Sequence, residues 1–198
     1  NDTKGILILV SAPSGGGKNA IITALLERFS HATQLVTTTT REKRPGEEEG
    51  KDYYYLTKEA FEEKKLAGGF VEYNTYAGNY YGTAWDHLNA ALASYAIVFS
   101  QAEVNGKKSL DAKGIPHVSI FLLPESIDIL RARIVARGGT SLTSLEDRIE
   151  TAKKEIAEAP IYDLPILNKD GHMDETVEAI VAFLCKEHAL VTYLDNKS

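Results

Sequence analysis

The stretch Ala12-Pro13-Ser14-Gly15-Gly16-Gly17-Lys18-Asn19 carries the residue types that hold a phosphate group. Glycine has no Cβ, so backbone built from it can wrap closely around an anion. The apolar run at residues 5–10 reads as a buried strand, and Ala20-Ile21-Ile22-Thr23-Ala24-Leu25-Leu26 reads as a helix. Strand, glycine-rich turn, Lys and helix is the layout of a phosphate-binding loop. The turn and the first helical turn aim N–H groups and the positive dipole end at the anion. Lys18 adds a mobile full charge for the β- and γ-phosphates. The general pattern opens on Gly and follows its Lys with Ser or Thr; here those positions hold Ala12 and Asn19. The missing hydroxyl is the group that normally ligates magnesium.

A second anion site can be built from Arg41 and Arg44, three residues apart, because two guanidiniums can grip one phosphate through paired hydrogen bonds. Tyr53 and Tyr81 have hydroxyls that can reach phosphate oxygens while their rings pack. The alternative is a charged surface hairpin in which Arg41, Lys43 and Arg44 are neutralised by Glu42 and Glu47-Glu48-Glu49. Arg131, Arg133, Arg137 and Arg148 form a further basic set, and Arg133 and Arg137 share one helical face. Gly138 and Gly139 beside them offer hinge freedom. Positive charge on a mobile segment suits phosphoryl transfer, where charge spreads over the transferred group. A solvated helical hairpin with Glu146, Asp147 and Glu150 as partners accounts for the same residues. Glu72 and Glu103 are acids near strand ends, able to accept hydrogen bonds from a base that donates through an N–H and an amino group. The five histidines have no metal-ligand spacing and no Ser/His/Asp order.

These side chains must be positioned by a core. With 198 residues, 43% of them hydrophobic, the chain can bury one sizeable core. A net charge of −6 argues against a general nucleic-acid binder. The single cysteine, Cys185, permits no intramolecular disulfide and fits a reducing, cytoplasmic setting. No apolar run approaches the ~20 residues of a membrane span, and no signal peptide is visible. Strands are expected at 5–10, 31–36, 53–56, 70–73, 95–99, 117–123 and 165–168. Helices are expected at 19–29, 58–67, 84–94, 126–136, 145–159 and 175–187. This alternation predicts a three-layer α/β core with a parallel sheet. The threonine- and tyrosine-rich stretch between about 37 and 83 breaks it and reads as an inserted small β unit.

The run Thr39-Thr40-Arg41-Glu42-Lys43-Arg44-Pro45-Gly46-Glu47-Glu48-Glu49-Gly50-Lys51-Asp52-Tyr53 resembles the guanylate kinase signature. So do Ser11-Ala12-Pro13-Ser14-Gly15, Gly78-Asn79-Tyr80-Tyr81-Gly82-Thr83, Ile120-Phe121-Leu122-Leu123-Pro124, Arg133 to Gly138, Arg148, and Ala159-Pro160-Ile161-Tyr162-Asp163 to Asn168. The resemblance covers about residues 5–185. It implies a P-loop kinase core at 1–36, 88–126 and 158–198, a GMP-binding α+β unit at 37–87 and a helical lid at 127–157. It implies ATP and GMP as substrates, magnesium as cofactor, and a monomer or homodimer. Ser14, Gly15, Gly16, Gly17, Lys18, Asn19, Ala20 and Asn168 would bind ATP, with Asn168 near the adenine. Arg41, Arg44, Tyr53 and Tyr81 would hold the GMP phosphate. Thr37, Glu72 and Thr83 would face guanine, and Glu103 would contact GMP. Lys18, Arg41, Arg137 and Arg148 would carry catalysis. Where the family has Asp-Ile-Asp after the central strand, this chain has Gln101-Ala102-Glu103, and Asn105 replaces a usual Gln. Gln101 and Asn19 therefore leave a weakened magnesium shell. That opens a second reading, a non-catalytic module whose phosphate pocket holds GMP or phosphopeptides.

Overall fold

The computed structural model describes residues 5–76, 78–136 and 142–195. In chain order, β1 (Ile6–Ser11) leads into α1 (Lys18–Arg28) and β2 (Ala32–Gln34). Next come β3 (Thr38–Thr39), β4 (Tyr54–Tyr55), α2 (Lys58–Leu66), β5 (Phe70–Tyr76) and β6 (Asn79–Ala84). The chain then forms α3 (Trp85–Ser94), β7 (Ile97–Gln101), α4 (Val104–Ala112) and β8 (Val118–Leu123). A helical hairpin, α5 (Ile127–Ala136) and α6 (Leu142–Ala157), precedes β9 (Leu164–Leu167) and α7 (Met173–His188). Among the described residues no helix is long and apolar enough to cross a membrane.

Five strands make a wholly parallel sheet in the order β2-β7-β1-β8-β9. A parallel sheet is covered on both faces, so its strands read as continuous apolar runs. In β1, Ile8 and Val10 face one way, packing with Ile21, Ile22 and Leu25 of α1 and Val177, Ile180 and Leu184 of α7. Leu7 and Leu9 face the other way, toward Leu88 of α3 and Leu110 of α4. That is the three-layer arrangement the alternation predicts. Fully burying each such side chain contributes about 1.5–3 kcal/mol.

The second sheet, β4-β3-β6-β5, has its own small core of Phe61, Phe70 and Ala84. Phe61 stacks on Phe70 with ring centroids 4.2 Å apart. The α5–α6 hairpin is held by another separate cluster, Leu130, Ile134, Leu145, Ile149 and Ala152.

Three elements differ from expectation. β2 is only three residues long, because His31 takes a positive φ of 54° and the strand begins after it. Helix α4 is not expected from the sequence, whose Val-Asn-Gly-Lys-Lys-Ser-Leu-Asp-Ala has no clean apolar period. Its buried face is Val104, Gly106, Lys107 and Leu110, and Lys107 donates to Asp111 at 2.7 Å to satisfy its charge. β6 hides behind its glycine: a Cβ on Gly82 would lie 3.0 Å from the Glu72 carbonyl oxygen of β5.

Candidate functional site

The loop between β1 and α1 is shaped by positions only glycine fills. Gly15 and Gly17 have φ of +83° and +89°, in the left-handed region that other residues rarely occupy. A Cβ on Gly16 would stand 2.6 Å from the Ala12 Cβ and 2.9 Å from the Pro13 carbonyl oxygen. Gly17 caps α1 without a side-chain acceptor, so that helix end keeps N–H groups available to an anion. Lys18, the first helical residue, folds back and donates to the Ala12 carbonyl at 3.0 Å. From the far side of the fold Asn168, only 7% exposed, donates to the Gly16 carbonyl at 3.0 Å. Asn168 thus braces the loop backbone directly. Ser14, Asn19 and Ala20 are exposed at its rim.

Beside the loop lies a cleft of about 610 Å³ between the small sheet and the parallel sheet, within the usual range for small-molecule sites. Lys18, Thr37, Arg41, Arg44, Tyr53, Glu72, Tyr81, Gln101 and Glu103 all line it. β1–β7 pairing puts Gln101 opposite Val10, at the strand end next to the loop. Thr83 sits just below the floor and donates to Glu72 at 2.6 Å. Asn105 and Gly106 of α4 complete one wall.

The charges at the cleft are organised. Arg41 pairs with Glu47 at 2.7 Å and lies over the Tyr53 ring, 5.4 Å from its centroid. Glu47 also accepts from the Arg44 N–H at 2.8 Å and from the Tyr55 hydroxyl at 2.8 Å. These three donors, Arg41 foremost, hold the Glu47 carboxyl down at about 2. Burial, reinforced by the bond to Glu47, pushes the Tyr55 phenol up to about 12. Burial raises the Glu72 carboxyl above the usual range, Glu103 adds to the rise, and Thr83 and Lys113 oppose it. Glu103 accepts from Asn74 at 3.0 Å, a bond that crosses from α4 to β5.

One basic cluster and one acidic-lined cleft are therefore brought together around Lys18. Arg148 is half-buried on α6. Arg137 lies outside the described residues. Arg131 pairs with Glu146 and Arg133 with Asp170, so these two are engaged in ion pairs. Two contributors escape sequence reasoning, Asn74 and Glu155, while Glu47 takes the part the surface-hairpin alternative gives it, as the partner of Arg41. Glu155 is half-buried on α6; burial raises its carboxyl, and the positive charge of Lys18 opposes the rise. Its position seven residues after Arg148, two helical turns on the same face, is the one signal for it in the sequence.

The guanylate kinase family model matches residues 4–187. A guanylate kinase of Lactococcus lactis is 39% identical over 165 residues, 83% of this chain and 80% of that protein. One of Chlorobium chlorochromatii is 37% identical over 186 residues, 92% of this chain and 98% of its own length. Among solved structures, guanylate kinase from Anaplasma phagocytophilum aligns with a TM-score of 0.72 at 27% identity, covering 98% of this chain and 92% of that one.

Proposed function

The chain belongs to the guanylate kinase family and is an ATP:GMP phosphotransferase that forms ADP and GDP, and we propose that the residues lining its cleft divide this work as follows. Residues 37–87 bind GMP, 127–157 form the lid, and 1–36, 88–126 and 158–198 form the core that holds ATP. Arg41, Arg44, Tyr53 and Tyr81 grip the GMP phosphate; Arg41 exchanges the Glu47 carboxylate for phosphate oxygens. Glu72 accepts from the guanine N1–H and amino group, with Thr37, Thr83 and Glu103 beside it. Ser14 to Ala20 wrap the ATP phosphates, and Asn168 keeps the loop in shape beneath them. Lys18, Arg41, Arg148 and Arg137 shield the charge that spreads over the γ-phosphoryl group during in-line transfer, which needs no covalent enzyme intermediate. The non-catalytic reading finds no support among the relatives.

Magnesium is the cofactor that the family's use of ATP implies. Among the described residues no three His, Cys, Asp or Glu side chains converge to hold a metal. Asn19 and Gln101 offer neutral amide oxygens near Lys18, and oxygen donors suit magnesium, which keeps several waters and takes phosphate ligands. The residues therefore fit an ion carried mainly by ATP, with Asn19 and Gln101 bonding it or its waters. When bound, it neutralises charge on the β- and γ-oxygens. A reducing, cytoplasmic setting accords with the single cysteine, and the family resemblance implies a monomer or homodimer.

The observation that carries this division is the half-buried Glu72 carboxylate at the floor of a cleft whose mouth holds Arg41 and Arg44. A carboxylate there rejects adenine, which lacks the paired donors and leaves the acid unmatched; such mismatches reach about 10⁴-fold. Coupled assays of ADP release should therefore favour GMP strongly over AMP. Glu72→Gln should lower kcat/KM for GMP by about 10²-fold or more while hardly altering the slow AMP rate. Equal loss with both acceptors would remove Glu72 from guanine recognition.

A further inference from the structure

Strand β5 carries a register slip. Phe70 pairs with Ala84 and Glu72 with Thr83, so Val71 is an extra residue with no partner across the ladder. A bulge of this kind re-aims the side chains that follow it, and a slip of one residue decides which face each occupies. It also takes a carbonyl out of the ladder. Val71 is fully buried, so that carbonyl needs another donor. The donor is Lys113, the C-cap of α4, whose ammonium bonds the Val71 carbonyl and reaches the Phe70 carbonyl at 3.4 Å. At the other end of α4 its N-cap residue Glu103 accepts from Asn74 of the same strand. Helix α4 thus clasps β5 at two points, and Glu72 lies between them. The helix passes close to that carboxylate: a Cβ at Gly106 would be in van der Waals contact with it, at 3.8 Å.

We propose that Lys113 is a positioning residue for guanine recognition, fixing the β5 bulge so that Glu72 faces the acceptor base. This rests on the reading that Glu72 accepts from guanine. Lys113 acts in two ways. It holds the backbone immediately before Glu72, and it is the positive group facing that carboxylate. The other charge facing it is Glu103, on the N-terminal end of α4, and Thr83 of β6 supplies a neutral hydrogen bond. Lys113 therefore favours the ionised Glu72, the form that accepts both guanine donors.

The test uses Lys113→Met, which keeps the aliphatic stem, with Lys113→Arg as the conservative rescue. For Lys113→Met, KM for GMP should rise about tenfold, the usual scale for orphaning one buried acceptor, with KM for ATP within about twofold. The acid limb of kcat/KM for GMP should move to higher pH, because removing the cation raises the Glu72 pKa. The GMP phosphate titrates near pH 6 or so in every variant, so the comparison is between profiles. Lys113→Arg should restore both KM and the limb. In a Glu72→Gln background, Lys113→Met should shift no limb. A rise in KM with an unmoved limb, or an equal rise for ATP, overturns the proposal as mere loss of structure. Should Lys113→Met not fold, Lys113→Gln keeps a donor without charge: the limb must still shift while KM changes less. If Glu72→Gln itself leaves GMP preference over AMP intact, the guanine reading fails first; if only the Lys113 variants are silent, this inference alone fails.

Discussion

Arg41 and Glu47 form an ion pair, and the pair has a pH signature. Three donors lower the Glu47 carboxyl from 4.5 to about 2. A group with a depressed folded-state pKa contributes stability above its unfolded value and loses it as pH falls through the folded one. The Glu47 contribution is therefore complete above about 4.5 and disappears toward pH 2. Melting temperatures of the parent and Glu47→Gln should differ most at neutral pH and converge in that acid window. A constant gap across it would assign Glu47 a packing role only. The magnesium shell proposed at Asn19 and Gln101 gives a second residue-level outcome. Losing one preorganised electrostatic contact commonly costs about 2.7–4 kcal/mol in a transition state, and waters can recover part of it here. Asn19→Ser with Gln101→Asp should raise turnover at low magnesium while KM for GMP stays within about twofold. No gain at any magnesium concentration would place the limit elsewhere. At this scale the sequence was most legible where residue type is diagnostic. Lys18, Arg41, Glu72 and Tyr81 could be picked out because phosphate and guanine demand such groups. Asn74 could not, since an amide in a strand looks alike whether it holds a partner or water, and Glu47 was legible only as one acid of a neutralising run.

The loop before α1 and the start of α2 separate function from stability. Gly16 has backbone and Cβ neighbours under 3.0 Å from any added methyl, so Gly16→Ala must displace the loop itself. KM for ATP should rise at least about tenfold, with KM for GMP nearly unchanged. Thr57, by contrast, accepts from the Ala60 N–H at 3.1 Å and caps α2. Thr57→Ala should cost about 1 kcal/mol of stability and leave both KM values alone. Urea titration and steady-state kinetics on the two variants check the pair; a Thr57→Ala variant with altered KM would tie α2 to the cleft. Elements with strong period or strong punctuation were readable, among them β1, α1, β8 and α7. Helix α4 was not, because its buried face includes Gly106 and Lys107, and the contacts that bury that face come from β5, some thirty residues earlier in the chain. β6 was not, because a glycine that permits strand contact reads locally as a turn.

On the scale of the whole molecule the small sheet and the α5–α6 hairpin each have an apolar cluster of their own, while Val71 of β5 joins one parallel-sheet cluster and Ile156 of α6 packs on another, Val104, Phe121, Ala159 and Tyr162. Bodies with their own cores can hinge or slide against one another while those cores stay packed. The groups proposed to grip phosphate are spread over these bodies, with Arg41 and Arg44 on the small-sheet segment, Arg148 on the hairpin and Lys18 on the core. In-line transfer needs them to converge on one phosphoryl group with water excluded. The small-sheet unit and the hairpin should therefore close toward the core when both substrates bind. Small-angle scattering with GMP and a non-hydrolysable ATP analogue should give a smaller radius of gyration than the substrate-free protein, whose value for this length is about 16 Å. The Asn74–Glu103 bond is a polar tie between the small-sheet unit and the core. Asn74→Ala should thus enlarge the substrate-free radius and leave the doubly bound one unchanged, because substrate contacts replace the lost tie. An unchanged radius on binding in the parent would mean that the cleft is already closed and that the arginines reach the phosphates by side-chain motion alone.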